Sequence, residues 1–409
     1  LTPPPPPPAA PPTPPPTPAV PPGTAPRSGR EADRVADATG GAAGTPATDW
    51  NPAREAVAGS KRAPATPGIT LIQACGTSLQ AAMGIAAKIA TGQIESGIAC
   101  GSDTTSDPPI VFSKKFAGRL AEMSRKKSAW EKVKVFKGLS PAELAPVPPL
   151  VAEPRTGLSM GQHCELMAQD WQIPREEQDD LAYESHKKAA EAYRSGYMDD
   201  LVVPHAGVFR DNNVREDIEG ETLGELRTVF EKSERGTLTA ANSTPMTDGA
   251  AAVLLASEDW ARQRDLPILA YLTHYKTSAN NFVAGEGLLM APTIAVSEVL
   301  RQADLSLQDF DFYEIHEAFA AQVLATLKAW NDAEYCAHHL GRNAPLGEID
   351  RTRMNVKGSS IAVGHPFAAT GARITGNMAK LLAEKGSGRG LISICTAGGM
   401  GVAAIMEAA

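Results

Sequence analysis

The chain has 409 residues, a net charge of -8, 33 prolines and five cysteines, enough length for two or three domains that each bury a core. The acidic balance argues against a nucleic-acid partner, which would call for concentrated Lys and Arg, and the cysteines at 75, 100, 164, 336 and 395 are too scattered for a disulfide framework and include no CxxC pair for structural zinc. No run of about 18 apolar residues is available to span a membrane, and the amino terminus has neither the basic start nor the apolar core of a signal peptide, so a soluble protein of the reducing cytoplasm is expected.

In chain order, residues 1–49 form a Pro/Ala-rich segment opening "LTPPPPPPAAPPTPPPTPAVPPG". That composition buries too little apolar surface to offset ordering entropy, and it predicts disorder. Residues 50–114 begin an α/β unit: "GITLIQA" reads as a strand, "SLQAAMGIAAKIATG" as a helix closed by Gly92, and "SGIACGSD" as another strand. Residues 115–235 are charged and helical in pattern, notably "REEQDDLAYESHKKAAEAYRSG", and are expected to be an inserted, mostly helical loop domain. Strand character returns in "GAAAVLLAS" (249–257), which assigns 236–260 to the first half.

From 261 to 409 the pattern alternates. "PILAYLTHYKTS" predicts a strand, "TIAVSEVLRQA" a helix, "FDFYEI" a strand, "EAFAAQVLATLKAW" a helix and "SSIAVG" a strand. "ATGARITGNMAKLLAEKG" then predicts a helix, and "GLISICTAGG" and "GVAAIME" the last two strands. Such alternation implies an α/β fold with a largely parallel sheet. The two ends also repeat each other: a strand reaches Cys75 or His365, a helix rich in small residues runs to Gly92 or Gly386, and a strand carrying a cysteine follows. Five strand candidates in the second half stand against three in the first, so the amino-terminal half is expected to lack its first two strands.

Four residues at element ends could carry chemistry. Cys75 precedes a helix, whose unpaired N–H groups favour a thiolate below the free value of about 8.5. In "SSIAVGHPFAATGARI" (359–374), His365 sits at a turn beside Gly364 and could remove a thiol proton. In "ICTAGGMGVAA" (394–404), Cys395 ends a strand before a glycine-rich turn whose N–H groups could converge on an oxyanion. In "YEIHEAFAAQ" (313–322), His316 ends a strand and begins a helix, the usual place for a site in an open α/β sheet. Taken singly, each also reads as a buried apolar cysteine or a loop histidine. Neither His163 with Cys164 nor Cys336 with His338 and His339 supplies four ligands, so no metal is expected.

Together, "QACGTSLQAAMGIAAKIATG", "GTLTAANSTPMTDGAAAVLLAS", "HEAFAAQVLA", "SSIAVGHPFAATGAR" and "CTAGGMGVAAIME" resemble the thiolase family from about residue 50 to the end. Within it they are similar to the bacterial fatty-acid-oxidation acyltransferases related to the trifunctional-enzyme β-subunit. The resemblance implies a duplicated βαβαβαββ core of layered sheets and helices with an inserted loop domain, the first strand lying in the middle of each half-sheet. Motif by motif it implies Cys75 as the acyl-accepting nucleophile, His365 as its base, and Cys395 as the acid/base at the α-carbon of the acetyl group. It implies that His316, where the family commonly has Asn, positions an oxyanion-binding water. It places the N–H groups of Cys75 and Ala397 at a second oxyanion, and Met160, Ser243 and Thr244 along the acyl-CoA pocket.

The implied activity is that of an acetyl-CoA C-acyltransferase of β-oxidation, acting on 3-oxoacyl-CoA with CoA as co-substrate and no permanently bound cofactor. A homodimer or tetramer is implied, as is association with a hydratase/dehydrogenase α-subunit. Two other readings stand beside it. A truncated thiolase-like chain without activity could act as a binding partner. A condensing acyl-thioester synthase shares the fold, but decarboxylating condensation has no need of a second acid/base cysteine, and Cys395 counts against it.

Overall fold

A computed structural model describes residues 17–20, 35–42, 50–108, 111–147 and 152–409. Its main strands are β1 (Thr17–Val20), β2 (Asp37–Gly40), β3 (Gly68–Thr70) and β4 (Ser96–Asp103). The hairpin strands β5 (Val111–Phe112) and β6 (Pro146–Val147) follow, then β7 (Gly249–Ala256) and β8 (Ala270–Ala279). The last three are β9 (Phe312–Ile315), β10 (Arg389–Thr396) and β11 (Met400–Ala408). Among the described residues nine of these make one sheet, in the order β3-β2-β4-β7-β1-β8-β11-β10-β9.

The duplication is written in that order. Read inward from its outer edge, the first half runs β3-β2-β4-β7-β1. The second runs β9-β10-β11-β8 and meets it where β1 pairs with β8. The first strand therefore lies at the inner edge of its half, not in the middle as expected, and β1 joins the halves by pairing antiparallel with both β7 and β8. The sheet is mixed rather than largely parallel. β2 is parallel to β3 and β4, and β9 to β10, but β4 with β7, β8 with β11 and β10 with β11 are antiparallel. The short turn between β10 and β11 leaves no room for a crossover helix, so that pair must be antiparallel.

The strand count reverses the expectation. The amino-terminal half has its first two strands, β1 and β2, both before residue 50, so those parts of 1–49 are not disordered; the rest of that segment lies outside the described residues apart from 35–42. Strand β2 is hidden in the sequence because "DATG" has no apolar alternation. Its Asp37 is buried and ion-paired with Lys88, and its glycine allows an approach no side chain would: a Cβ at Gly40 would lie 2.3 Å from Cys100 Sγ. In the other half, "SSIAVG" forms a short helix, Ser360–Val363, not a strand. Its Ala362 and Val363 pack against Ala189 of helix Arg175–Arg194. A short buried apolar run does not by itself distinguish helix from strand.

Two helices cross between the halves. Thr77–Ala90 places Leu79, Ala82, Met83, Ile85 and Ala86 in the core at helical spacing, and Thr370–Lys385 buries Ala372, Ile374, Met378 and Leu382 in the same cluster. They meet at Gly371, where a Cβ would lie 2.4 Å from the Leu79 nitrogen, and Ala372 N donates to Ser78 Oγ over 2.7 Å. Between β4 and β7 lie helices that include Lys114–Arg125, Met160–Asp170 and Arg175–Arg194. The second starts at a capping box made by Ser159 and Gln162.

Candidate active site

Cys75 stands on a 3-10 turn, Ala74–Gly76, that leads into helix Thr77–Ala90. Ala74 has a φ of 45°, in the left-handed region, a conformation that costs a non-glycine residue about 1–3 kcal/mol. The Thr77 hydroxyl holds it there, accepting from Gln73 N at 2.9 Å and donating to the Ala74 carbonyl at 2.8 Å. Gly76 lets the turn press on the last two strands, since a Cβ there would lie 2.8 Å from Val402 Cγ2 and 2.9 Å from Thr396 Cγ2. Cys75 is thereby brought against the end of β10.

His365 follows Gly364, whose φ is 97°, and its backbone N–H donates to the Pro245 carbonyl. Its Nδ1 lies 2.6 Å from Thr370 Oγ1 and its Nε2 3.0 Å from Cys75 Sγ. With Nδ1–H donating to Thr370, Nε2 is the acceptor for the thiol proton. Burial, aided by the charge of Arg373, holds the imidazole neutral, its pKa pushed down to about 3.

The thiol differs from the sequence expectation. Burial pushes Cys75 up to about 12, with Asp103 adding to the rise, although the backbone N–H groups of Cys75 and Ala397 pull it down. A helix start stabilises a thiolate, but taking sulfur out of water here outweighs it. The resting pair is a neutral thiol on a neutral imidazole, and the two amides favour the thiolate once the proton moves.

Cys395 is the penultimate residue of β10 and is buried, its thiol raised well above the usual range first by burial and then by the neighbouring thiols of Cys75 and Cys164. The turn after it contains Gly398 and Gly399 at φ 78° and 68°. Gly398 N donates to Glu153 Oε1 at 2.8 Å, and the Ala397 N–H is one of the groups that pull the Cys75 pKa down.

His316 lies one residue past β9, its N–H donating to the Ser393 carbonyl. The following helix starts only at Ala320, so His316 does not begin it. Its ring centre is 4.3 Å from that of His365, and among the described residues its buried Nε2 has no hydrogen-bond partner. Burial, then His365 and Arg373, hold it well below the usual histidine range. One ligand atom from each of Cys75, His316 and His365 lies within 4.8 Å of the others.

Of the residues assigned to the acyl-CoA pocket, Ser243 has a buried hydroxyl with no partner among the described residues. Thr244 instead spends its hydroxyl on the Ser360 carbonyl at 2.6 Å, and Met160, first in its helix, packs half-buried on the core. A cavity of about 340 Å³ lined by Ser185, Lys188, Glu317 and Asn355 adjoins Glu317 and does not include Cys75.

Sequence reasoning missed four supporting residues. Thr370 holds His365; Ser360 and Arg373 stand behind His316; and Asp103 accepts from Ala368 N at 2.8 Å, tying the His365 turn to β4. Ser360, Thr370 and Arg373 all stand in the quoted motif around His365, but nothing in their spacing shows which side chain each would meet.

This fold with its buried cysteine–histidine pair defines the class, an acyl-transferring enzyme. The chain belongs to the thiolase family: the model of the thiolase N-terminal domain matches residues 26–259 and that of the C-terminal domain residues 266–408. A 3-ketoacyl-CoA thiolase of Shewanella baltica (strain OS185) is 43% identical over 363 residues, covering 87% of this chain and 83% of the relative. One of Pectobacterium carotovorum subsp. carotovorum (strain PC1) is 46% identical over 363 residues, covering 87% and 82%. Among solved structures, the acetyl-CoA acetyltransferase of Bacillus anthracis superposes with a TM-score of 0.74 at 29% identity, covering 94% of this chain and 89% of that one. Human mitochondrial 3-ketoacyl-CoA thiolase gives 0.74 at 26%, covering 92% and 88%. The Acat5 thiolase of Ascaris suum in complex with coenzyme A gives 0.75 at 25%, covering 92% and 89%.

Proposed function

We propose that this chain is an acetyl-CoA C-acyltransferase, a 3-ketoacyl-CoA thiolase that cleaves 3-oxoacyl-CoA with CoA to acetyl-CoA and a shortened acyl-CoA in fatty acid β-oxidation. The observation that carries the reading is the 3.0 Å contact between Cys75 Sγ and His365 Nε2, to which the backbone N–H groups of Cys75 and Ala397 add a pull toward the thiolate.

His365 Nε2 takes the Cys75 proton and the thiolate adds to the 3-keto carbon. The bond between carbons 2 and 3 breaks, its electron pair leaves with the acetyl-CoA enolate, and Cys395 gives its proton to that carbon. His316 supplies hydrogen bonding to the enolate oxygen. The Cys395 thiolate then takes the proton of incoming CoA, whose sulfur attacks the Cys75 thioester. Cys75 leaves as thiolate and recovers its proton from His365, while the N–H groups of Cys75 and Ala397 hold the oxyanion of this second addition.

CoA is read as a co-substrate, with no permanently bound cofactor. Met160 and Ser243 are read as contacts of the acyl-pantetheine arm, and Thr244 as a support of the wall behind them. Residues 115–235 are read as the loop domain over a core made of 50–114 with 236–260 and of 261–409. Among the described residues no helix is long and apolar enough to cross a membrane. A cytoplasmic dimer or tetramer, able to associate with a hydratase/dehydrogenase α-subunit, fits the family. The inactive-chain reading rested on two absent strands, and β1 and β2 remove that ground.

The test is incubation with acetoacetyl-CoA and CoA, following acetyl-CoA by chromatography and the acyl adduct on the Cys75 peptide by mass spectrometry. Cleavage with an adduct that Cys75→Ser abolishes is expected. A folded chain that forms no acetyl-CoA, or carries the adduct elsewhere, overturns the reading.

A further inference from the structure

His316 is held from behind. Its Nδ1 lies 2.8 Å from Ser360 Oγ, and Arg373 Nη2 donates to that same oxygen over 2.8 Å. A guanidinium only donates, so it occupies one lone pair of the serine oxygen. Among the described residues His316 Nδ1 is the acceptor within reach of the Ser360 hydroxyl proton. The proton therefore goes to Nδ1, and a neutral ring must then carry its own on Nε2. That nitrogen is the buried, unpartnered one beside His365.

The support is itself fixed. The Ser360 carbonyl accepts from Thr244 Oγ1 at 2.6 Å and from Gly364 N at 2.9 Å. Burial lowers the pKa of the Arg373 guanidinium, and the acidic groups Asp211 and Glu317 are among those that oppose that shift.

We propose that Ser360 and Arg373 are positioning residues that fix His316 as its Nε2–H tautomer, so that it presents a donor to the substrate carbonyl oxygen and never a second base beside His365. The proposal rests on the acyl-transfer reading of Cys75. The opposite tautomer would turn a lone pair toward the developing oxyanion and weaken the donor that the cleavage step needs. It would also place two competing acceptors around one thiol proton.

The tautomer is read directly by nitrogen NMR of the full chain labelled at histidine nitrogens, with His316→Gln assigning the resonances. The expected spectrum has an unprotonated, hydrogen-bond-accepting Nδ1 and a protonated Nε2. In Ser360→Ala the Nδ1 proton form should gain population, and kcat for acetoacetyl-CoA cleavage should fall about ten- to hundredfold with KM little changed; Ser360→Thr should restore both. A proton on Nδ1 in the unmodified chain overturns the proposal. So does a folded Ser360→Ala protein that keeps the Nε2–H spectrum. If Ser360→Ala does not fold, the spectrum of the unmodified chain still decides. An unmodified chain with the expected spectrum but no cleavage counts against the acyl-transfer reading and leaves the tautomer assignment supported.

Discussion

Glu314, two residues before His316, offers a test of the buried charge system by its effect on stability. One carboxyl oxygen accepts from Asn377 Nδ2 at 2.7 Å, and the other is buried without a partner. Burial pushes its pKa up to about 8, against the pull of Arg373 and Asn377. The folded chain thus holds a proton there at neutral pH that the unfolded chain, with an ordinary value of about 4.3, has released. Because the folded state binds more protons, stability falls as pH rises through the folded value. Between pH 7 and pH 9 the folded carboxyl goes from about nine-tenths protonated to about one-tenth, and the integrated loss is about 1.4 kcal/mol. Glu314→Gln cannot ionise and lacks this contribution. Urea unfolding of both proteins at pH 7 and pH 9 should show the unmodified chain losing about 1.4 kcal/mol more than the variant. The raised thiols of Cys75, Cys164 and Cys395 also depress stability in that range, but they are common to both proteins and cancel. Equal losses would mean that Glu314 is already ionised at pH 7, and the argument from burial would fail.

Other outcomes follow from single contacts. Thr370→Val leaves the Nδ1–H of His365 buried without an acceptor, at a cost of about 1–3 kcal/mol. Acylation of Cys75 in a rapid-quench assay should slow about ten- to hundredfold, while Thr370→Ser keeps the rate. Gly371→Ala drives a methyl group into the Leu79 backbone and should destabilise the chain by about 1–3 kcal/mol in thermal or urea unfolding. Asp103→Asn removes a negative charge near Cys75 but retains an oxygen for Ala368 N, so pH-dependent alkylation should show a lower Cys75 pKa with the fold unchanged.

The residues proposed to react were legible because each stands at an element end marked by unusual neighbours: Gly364 and Pro366 around His365, and the glycines after Cys395. What supports them was not, because Ser360 and His316, or Thr244 and Ser360, are joined in space across long stretches of chain. Strand β2 escaped notice because burial of Asp37 and the tight approach at Gly40 erase the alternation that advertises a strand. The "SSIAVG" helix was misread because a buried run of four residues is too short to show a period. The thiol was misjudged for another reason: the helix-start argument is local, whereas desolvation of Cys75 depends on everything the chain later folds around it.

The crossing at Gly371 bears on how this protein would tolerate change. The helix after Cys75 and the helix after His365 meet closely, the Leu79 main chain against Gly371 and the Ser78 hydroxyl against the Ala372 N–H, so the gap between sulfur and imidazole is gauged by a joint a few residues away. Substitutions scattered through the aliphatic interior should therefore lower the melting temperature well before they blunt turnover, and the chemistry should fail only when this one joint slips.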